Sequence, residues 1–596
     1  MVKIRKIYIG VAWPYVNDLF HLGNLTGAYL PPDIFRRFHK LSGNEVLMIS
    51  GSDFHGTPIT LQAEKEGVKP EGLAQKYHLL DKEYLQRFRI EYSLYTSTHT
   101  VNHRRVTQEM FLRLLKNGYI KILKTKQLYS ETAGKFLQDR YIEGECPYCH
   151  CLEARGDQCE KCGRALDALE LINPYSKIDR SKLVARETEN YFLDLKKLQP
   201  VIKKWLSARK GWRDWVKNEA LGWVEEGLRP RAITRDLNYG VALPIKQIPQ
   251  NQRIENIENK ILYVWFEAVI GYLSGAVEYS QKIKKPNYWK KFFYDPQAET
   301  YYFVGQDNLV FHTINWPAQL YAYDEKINLP TNVFVNKFLL LEGRKMSKSR
   351  GWFLNNQELL QNYAADSLRF YLALNLPETK EFSFGWEDFI KTNNNVLVAT
   401  IGNFINRAFS LAKNNFGRSF VFDKKTVSRE VEAKIKQTLQ LTEKQINQGQ
   451  FKEALAIIVD FCVFGNQFLE RTKPWEKIKT NRNEAEMVIK NSLIMVANLK
   501  TLIYPFLPES AEKLNQFLGF PKISFKIGLN QWQYQLPKRI RLAKEIKPLF
   551  AKIPKEQIVL EKEKLVSKNY PPSRKATEGK PTTPPAGGLL TKIDAD

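Results

Sequence analysis

The stretch KIYIGVAWPYVNDLFHLGN, residues 6–24, decides the fold class of this chain. Residues 6–16 form an apolar run that predicts a strand, and the helical pattern of residues 25–41 begins directly after His21-Leu22-Gly23-Asn24. A second apolar strand is predicted at residues 45–49. Strand, helix and strand in this order predict an α/β fold with a doubly wound, Rossmann-like parallel sheet.

Downstream, the pattern changes at several points. A Gly-, Cys- and charge-rich stretch interrupts the alternation, strand-like segments return at residues 261–266, 301–304 and 333–341, and long helical periodicity with few Gly or Pro then predicts a helix bundle. We read the Lys-, Glu- and Pro-rich end, from about Lys555, as a mobile tail. The expected divisions are residues 1–117 and 244–330 for the two halves of the sheet domain, 118–243 for an insertion, 331–385 for a connecting region, 386–545 for the helical domain and 546–596 for a basic, partly mobile tail.

The composition indicates a folded, basic protein of several domains. The 596 residues carry a formal net charge of +26, and 43% of them are hydrophobic. Such a charge favours a polyanionic partner, because Lys and Arg surfaces bind phosphate backbones by releasing counterions; general solubility is the alternative explanation. No apolar stretch approaches a membrane span, and Trp13, Pro14 and Asn17 interrupt the apolar start, so we expect a cytoplasmic protein without a signal peptide.

Two short motifs are candidates for phosphate binding. In His21-Leu22-Gly23-Asn24, Gly23 permits close backbone approach and the helix start offers free N–H groups, although an ordinary turn capped by Asn24 would explain the string equally well. Lys345-Met346-Ser347-Lys348-Ser349 follows a predicted hairpin that turns at Gly343. Its lysines and hydroxyls could surround a transferring phosphate; a basic, Ser-rich surface loop or a phosphorylation site is the alternative.

Four cysteines predict a metal site. Cys146-x2-Cys149 and Cys159-x2-Cys162 form two knuckles in a short loop-rich segment, as tetrahedral structural zinc requires. His150 and Cys151 lie close enough in sequence to replace a ligand, and a redox disulfide pair is the alternative. Cys462 lies on an apolar helix and is interpreted as a buried core thiol. We expect one structural Zn²⁺.

The two phosphate-binding motifs together resemble those of the class I aminoacyl-tRNA synthetases. Within that class, further strings are similar to the methionyl-tRNA synthetase family, over roughly residues 6–545. The matching strings are Ala12-Trp13-Pro14-Tyr15-Val16-Asn17, Gly51-Ser52-Asp53-Phe54-His55-Gly56-Thr57-Pro58, Tyr263-Val264-Trp265-Phe266-Glu267-Ala268, Gly305-Gln306-Asp307-Asn308 with Phe311-His312, and Gly402-Asn403 with Asn406-Arg407.

The resemblance implies roles for individual residues in a reaction of ATP, L-methionine and tRNA(Met). Asp53 would accept the α-ammonium group with help from Tyr15, while Trp13, Trp265, Ala268, Tyr272 and His312 would line the thioether pocket. His21, Gly23, Asn24, Asp307 and Lys348 would bind Mg²⁺-ATP, with His21, Asn24, Lys345 and Lys348 acting in catalysis. Each aromatic residue could instead be core packing, and His55 and the Arg235-Asp236 pair are further candidates. Trp13 departs from the Leu that is common in the family, which leaves the shape of the pocket floor open.

The resemblance also implies how tRNA is recognised. Asn403 and Arg407 share one helix face, and Trp475 follows a helix end where an indole can stack on an unpaired base. These three residues would contact the CAU anticodon; without the resemblance, a helix-end Trp is more often core. Many members carry an additional dimerising domain, for which we see no room before Asp596, so a monomer is expected. The gap between the two phosphate motifs also has no obvious room for a hydrolytic editing domain.

Overall fold

A computed structural model describes residues 4–137, 141–156, 159, 161–162, 166–346, 352–523 and 525–569. In its first part, the apolar run forms a buried strand only over residues 6–11, so the strand predicted over residues 6–16 was too long. Pro31 and Pro32 lie in the first turn of a helix, where their missing N–H groups cost nothing. The elements are β1 (Lys6–Val11), α1 (Leu22–Asn24), a π-helical turn (Leu25–Tyr29), α2 (Leu30–Leu41), β2 (Glu45–Ser52), α3 (Thr57–Glu66), α4 (Pro70–Arg87), β3 (Leu94–Ser97) and α5 (Val101–Lys116).

The middle of the chain builds a long antiparallel ribbon. Its two main strands, β4 and β9 below, pair over eleven residues from Ile120↔Leu193 to Ser130↔Leu183. The elements are β4 (Ile120–Ser130), β5 (Lys135–Phe136), β6 (Ile142–Glu145), β7 (Ala154–Arg155), β8 (Ile172–Ser176), β9 (Leu183–Leu193), α6 (Leu195–Ser207), α7 (Asp214–Glu225), β10 (Arg231–Ala232), β11 (Thr234–Asp236), β12 (Val241–Ala242) and β13 (Lys260–Leu262).

The next part completes the main sheet. Its order is β15-β14-β1-β2-β3, with every pair parallel. This confirms the predicted α/β class, and the hairpin turning at Glu342-Gly343 is also as expected. The elements are α8 (Val264–Glu267), α9 (Gly271–Lys282), α10 (Lys290–Phe293), β14 (Ala298–Gly305), a π-helical turn (Phe311–Asn315), α11 (Trp316–Tyr323), β15 (Asn332–Asn336), β16 (Leu339–Leu341), β17 (Arg344–Lys345), α12 (Asn356–Asn362), α13 (Ala365–Leu374) and β18 (Phe382–Phe384).

One predicted strand of the main sheet was wrong. The segment 261–266 is a strand only to Leu262, and it pairs with β11 and β12 in a separate antiparallel sheet. From Val264 the chain is helical. An apolar run of this length is compatible with either element, so its hydrophobicity alone could not locate the change.

The described residues after β18 form the predicted helix bundle, in which Cys462 is fully buried. Its elements are α14 (Trp386–Thr392), a π-helical stretch (Asn393–Gly402), α15 (Asn403–Phe416), β19 (Ser419–Val421), α16 (Arg429–Asn447), α17 (Phe451–Thr472), α18 (Pro474–Thr480), α19 (Arg482–Ile503), α20 (Pro508–Phe517), β20 (Arg539–Arg541) and α21 (Gln557–Asn569). Within the described ranges, none of the helices combines the length and the apolarity that crossing a membrane would need.

The last helix contradicts the expectation of a mobile segment from Lys555 onward. Helix α21 packs against α14, with Glu561 and Leu565 buried. The Tyr363 hydroxyl donates a 3.1 Å hydrogen bond to the Glu561 carboxylate. Residues 570–596 of the predicted tail lie outside the described residues.

A buried ion-pair cluster joins the sheet domain to the bundle. Asp33 of α2 accepts hydrogen bonds from Arg37 at 2.9 Å and from Arg369 of α13 at 2.8 Å. Arg369 also donates to the carbonyl oxygens of Pro505 and Phe506, beyond the end of α19. Because these charges are buried and satisfied, breaking the cluster would be costly, and the two parts are held in a defined relation.

Candidate active site

A cavity of about 750 Å³ opens at the carboxyl ends of β1 and β14, the edge at which open parallel sheets bind ligands. Its lining brings together residues from both halves of the sheet and from the β16–β17 hairpin. Seven of the residues predicted from the sequence line it: Trp13, Tyr15, His21, Gly23, Asn24, Asp307 and Lys345.

At the start of α1, the side chains of His21 and Asn24 cap the helix. The Nδ1 atom of His21 accepts a hydrogen bond from the Gly23 N–H at 3.1 Å, and Asn24 Oδ1 accepts one from the His21 N–H at 3.0 Å. The capping alternative is therefore present in this structure. Since Nδ1 is an acceptor here, the proton of the neutral ring is on Nε2, which makes the ring a hydrogen-bond donor.

Gly23 is the point where the two phosphate-binding motifs meet. A Cβ atom at this position would lie 2.8 Å from His21 Cε1 and 3.0 Å from Met346 Cε. Lys345, the residue before Met346, places its ammonium group 4.7 Å from the centre of the Phe338 ring. Ser347, Lys348 and Ser349 lie outside the described residues, so the predicted role of Lys348 has no structural counterpart here.

Asp53 follows β2 and is buried, with 3% of its surface exposed. Its backbone N–H donates to the Pro14 carbonyl at 2.8 Å, and this pairing brings Tyr15 beside it. The carboxyl Oδ1 accepts hydrogen bonds from the His55 N–H at 3.1 Å and the Thr98 hydroxyl at 3.4 Å. Burial raises the pKa of Asp53 well above its ordinary value, and the nearby Glu267 carboxylate raises it further.

The predicted pocket residues outside the cavity lining fall into two groups. Tyr272 and His312 are buried and joined by a 2.6 Å hydrogen bond between the hydroxyl and Nε2. Because the Asn308 carbonyl lies 2.8 Å from His312 Nδ1 and accepts its proton, Tyr272 donates to Nε2. Trp265 is 44% exposed and packs on Phe311, while Ala268 is half-buried one residue beyond Glu267.

Trp13 is held between two glycines. A Cβ on Gly51 or Gly271 would lie 2.7 or 2.8 Å from its indole ring. The ring centre is also 6.4 Å from that of His103. The large indole fits here because Gly51 of β2 and Gly271 of α9 have no side chains.

Some residues of the site were not predicted from the sequence. The same cavity is also lined by Gln62, Lys65 and Lys337, and by Asn17, which belongs to a matching string but had no predicted role. Glu267, which is fully buried beside Asp53, belongs to one of the matching strings, but the resemblance implied no role for it. The candidate Arg235-Asp236 pair is divided, since Asp236 pairs with Lys260 at 2.9 Å and the Arg235 guanidinium stacks 4.8 Å from the Tyr263 ring.

The four predicted metal-binding cysteines lie together, and their Sγ atoms are all within 4.8 Å of one another. The Sγ atoms of Cys146 and Cys162 are 3.9 Å apart, and those of Cys149 and Cys159 are 3.5 Å apart. Zn–S bonds of about 2.3 Å in a tetrahedron require sulfurs about 3.8 Å apart, so the donor set fits zinc. His150, the possible replacement ligand, is not part of this group, and its Nδ1 atom lies 2.7 Å from the Glu145 carboxylate.

Asn403, Arg407 and Trp475 also form one surface cluster on the bundle. Asn403 and Arg407 lie on α15, and the Arg407 guanidinium stacks 5.2 Å from the Trp475 ring centre. Arg407 pairs with Glu470 at 2.8 Å, and the Asn403 amide donates to Asn466 Oδ1 at 3.1 Å. Trp475 is half-buried, so part of the indole face is accessible for stacking.

Two family models match the chain. The model described as tRNA synthetases class I (M) matches residues 7–409. The model described as the anticodon binding domain of methionyl tRNA ligase matches residues 423–568.

Individual relatives agree with these matches. The methionine--tRNA ligase of Roseiflexus sp. (strain RS-1) is 42% identical over 526 residues, which cover 86% of this chain and 87% of the relative. That of Dehalococcoides mccartyi (strain CBDB1) is 39% identical over 561 residues, covering 94% and 99%. The solved structure of Mycobacterium tuberculosis methionyl-tRNA synthetase in complex with methionyl-adenylate superimposes with a TM-score of 0.73 at 20% identity, over 92% of this chain and 100% of that one, which shows a shared fold.

Proposed function

Because the chain belongs to the methionyl-tRNA synthetase family of class I tRNA synthetases, we infer that it is an ATP-dependent ligase that joins L-methionine to tRNA(Met). One observation supports this most directly. A single cavity is lined by the helix start at His21 and by Lys345, and it adjoins the buried Asp53 through Tyr15. A triphosphate and an amino acid can thus be bound side by side.

In the first step, the methionine carboxylate attacks the α-phosphorus of Mg²⁺-ATP, which forms methionyl-adenylate and releases pyrophosphate. Asp53 would hold the α-ammonium group by opposite charge. His21, Asn24, Lys345 and Lys348 would stabilise the negative charge that develops on the phosphate oxygens, and Gly23 and Asp307 would complete the ATP site. No side-chain nucleophile is required.

A second group of residues would form the pocket for the methionine thioether. Trp13, Trp265, Ala268 and Tyr272 offer aromatic and small apolar surfaces that suit a flexible, polarisable methionine side chain. The Tyr272–His312 hydrogen bond orients the two rings relative to each other. Tyr15 would close the pocket near the ammonium group.

In the second step, the 2′-hydroxyl of the terminal adenosine of tRNA attacks the adenylate. Asn403, Arg407 and Trp475 would read the anticodon by hydrogen bonds and stacking. The net charge of +26 supports binding to the tRNA backbone. We further propose a cytoplasmic monomer, divided as expected from the sequence except that the helical domain extends through α21.

Substitution of Gly23 tests how the two phosphate motifs meet. Gly23→Ala should lower kcat for methionine-dependent ATP–pyrophosphate exchange about 10- to 100-fold, because the new methyl group would overlap the His21 ring and force it out of its position at the helix start. Gly72→Ala on α4 is the control, since a Cβ there meets no atom within 4 Å and activity should not change. Equal activity of the two variants would contradict the close packing at Gly23.

Cys146, Cys149, Cys159 and Cys162 would hold one structural Zn²⁺, which supplies cross-links for the β6–β8 module and no open coordination position. We expect metal analysis of the purified chain to give about one equivalent of zinc. Cys159→Ser should lower that content and should destabilise the module to proteolysis, whereas Cys151→Ser should do neither. Two equivalents, or none, would refute the assignment.

The function itself is tested by pyrophosphate exchange with each of the twenty amino acids in turn. Exchange with methionine alone supports the proposal. Exchange with another amino acid would indicate a different class I ligase, and exchange without any amino acid would indicate a nucleotidyltransferase. Binding of tRNA without exchange would indicate a non-catalytic tRNA-binding protein.

A further inference from the structure

A buried cluster of acidic and imidazole groups lies behind the proposed ammonium site. Glu267 has no exposed surface, and its carboxylate is held between two histidines, His55 Nδ1 at 2.8 Å and His103 Nε2 at 2.5 Å. His103 Nδ1 in turn contacts the Ser274 hydroxyl at 2.8 Å. A carboxyl oxygen of Asp53 lies within 4.8 Å of a Glu267 carboxylate oxygen and of a His55 ring nitrogen.

The cluster continues to the protein surface. His55 Nε2 lies 3.2 Å from His99 Nδ1, and His99 Nε2 contacts the Glu71 carboxylate. Glu71 is exposed on α4. A chain of hydrogen-bonded groups therefore runs from the Glu267 carboxylate to solvent, and Asp53 lies beside this chain.

The two buried carboxyls are not equivalent. Burial alone would raise the pKa of Glu267, but its two imidazole partners outweigh burial and hold this pKa below the ordinary value. Asp53 has only the His55 N–H and the Thr98 hydroxyl, both uncharged donors, and among the described residues neither carboxyl has a Lys or Arg ion-pair partner. The other titratable groups that face the pair are His55, His99, His103, Tyr15 and Tyr239. Two neighbouring carboxyls in a buried site do not both ionise readily, so Asp53 is the one that keeps a proton.

We propose that Glu267, clamped between His55 and His103, keeps Asp53 protonated while the pocket is empty, so that the α-ammonium group of methionine displaces this proton to solvent. The inference rests on the proposed function, in which Asp53 is the ammonium acceptor. Glu267 acts through Asp53 and is a positioning residue.

The proton balance is simple. The O–H bond of Asp53 breaks, its carboxylate pairs with the ammonium group, and the ammonium group keeps its three protons. The released proton goes to solvent. The hydrogen-bonded chain of His55, His99 and Glu71 lies beside Asp53 and is the route to the surface, along which each imidazole gains a proton on one nitrogen as it loses one from the other. One proton leaves for each methionine bound, and the charge at the ammonium end of the site is unchanged, because the Asp53 carboxylate balances the ammonium group.

Calorimetric titration of the full chain with L-methionine, without ATP, measures this proton directly. Comparing phosphate and imidazole buffers of equal pH gives the number of protons released, between about pH 5.5 and 8. Below the pKa of Asp53 in the empty site, the empty form is protonated and the bound form is not, so release should approach one proton per methionine. Above that pKa both forms are ionised, and release should fall to zero.

The Glu267→Gln variant tests the part played by the second carboxylate. Removing its charge should move the proton-release curve about one to two pH units toward acid. Glu267→Asp should keep the curve near its original position, and Glu378→Gln, at a half-buried glutamate outside the site, should leave it unchanged. A purely structural role would weaken methionine binding without moving the curve, and that result would overturn the proposal.

The wild-type curve is decisive even if Glu267→Gln does not fold. Methionine binding without proton release at any pH in the range would overturn the inference while leaving the proposed function standing. Failure to bind methionine, together with no methionine-dependent exchange, would instead overturn the proposed function and the inference with it.

Discussion

Asp53→Asn should lower kcat/KM for methionine in pyrophosphate exchange by ~100-fold or more. The substitution keeps the shape of the side chain but leaves the substrate ammonium group without a countercharge in a site where only 3% of Asp53 is exposed. Removing one partner of a buried charge pair costs about 3 kcal/mol or more, which corresponds to this factor. The KM for ATP should change little, because the phosphate-binding residues are untouched.

The control for this variant is Asp366→Asn. Asp366 is equally buried and accepts a 2.7 Å hydrogen bond from the Ser510 N–H, but it lies outside the cavity. The Asp366→Asn variant should have a lower Tm than the wild type and an unchanged KM for methionine. An Asp53→Asn enzyme whose methionine KM stays within a factor of about three of wild type would show that another group accepts the ammonium.

Trp475→Ala is expected to raise the KM for tRNA(Met) about 10- to 100-fold while pyrophosphate exchange stays near the wild-type rate. Stacking of a base on an aromatic ring contributes ~1–3 kcal/mol, and the indole also supports the Arg407 guanidinium 5.2 Å from its centre. The loss should therefore appear in tRNA binding, far from the chemistry. Aminoacylation and exchange assays on one enzyme preparation measure both quantities.

Two comparisons separate recognition from folding. Trp475→Phe keeps an aromatic face and should retain most of the affinity. A tRNA(Met) transcript with an altered anticodon should be a poor substrate for the wild type and no worse for Trp475→Ala. If exchange falls together with aminoacylation, the indole is needed for the fold of α18 and not for the anticodon.

The fold was predictable where a local pattern corresponds to one element. The apolar runs at β1 and β2 and the helical periodicity of α17 are examples. His21 caps a helix that follows β1, and Lys345 lies on the second strand of the predicted hairpin. Helix α21 was missed because its Lys- and Glu-rich sequence conceals a face on which Leu565 is buried. Composition describes the whole segment, whereas docking depends on a few positions of one face.

The site was predictable mainly where its residues belong to a contiguous string. Asp53, His21 and Lys345 were proposed in this way, and the structure places His21 and Lys345 on one cavity with Asp53 beside its Tyr15 wall. Glu267 could not, because its environment is made by His55 and His103, which lie 212 and 164 positions away in the sequence. Such a cluster exists only after the sheet and α5 have packed, and no spacing rule in one sequence contains it.

The strand order also has a consequence for synthesis on the ribosome. Strand β1 lies between β2 and β14. In the pairing with β14, Lys6 faces Ala298, which is synthesised about 290 residues later. At roughly 5–20 residues per second, one edge of β1 waits about 15 to 60 seconds for that partner. During this time the nascent chain exposes an unpaired apolar strand, so translation speed and chaperone supply should influence how much active enzyme a cell obtains.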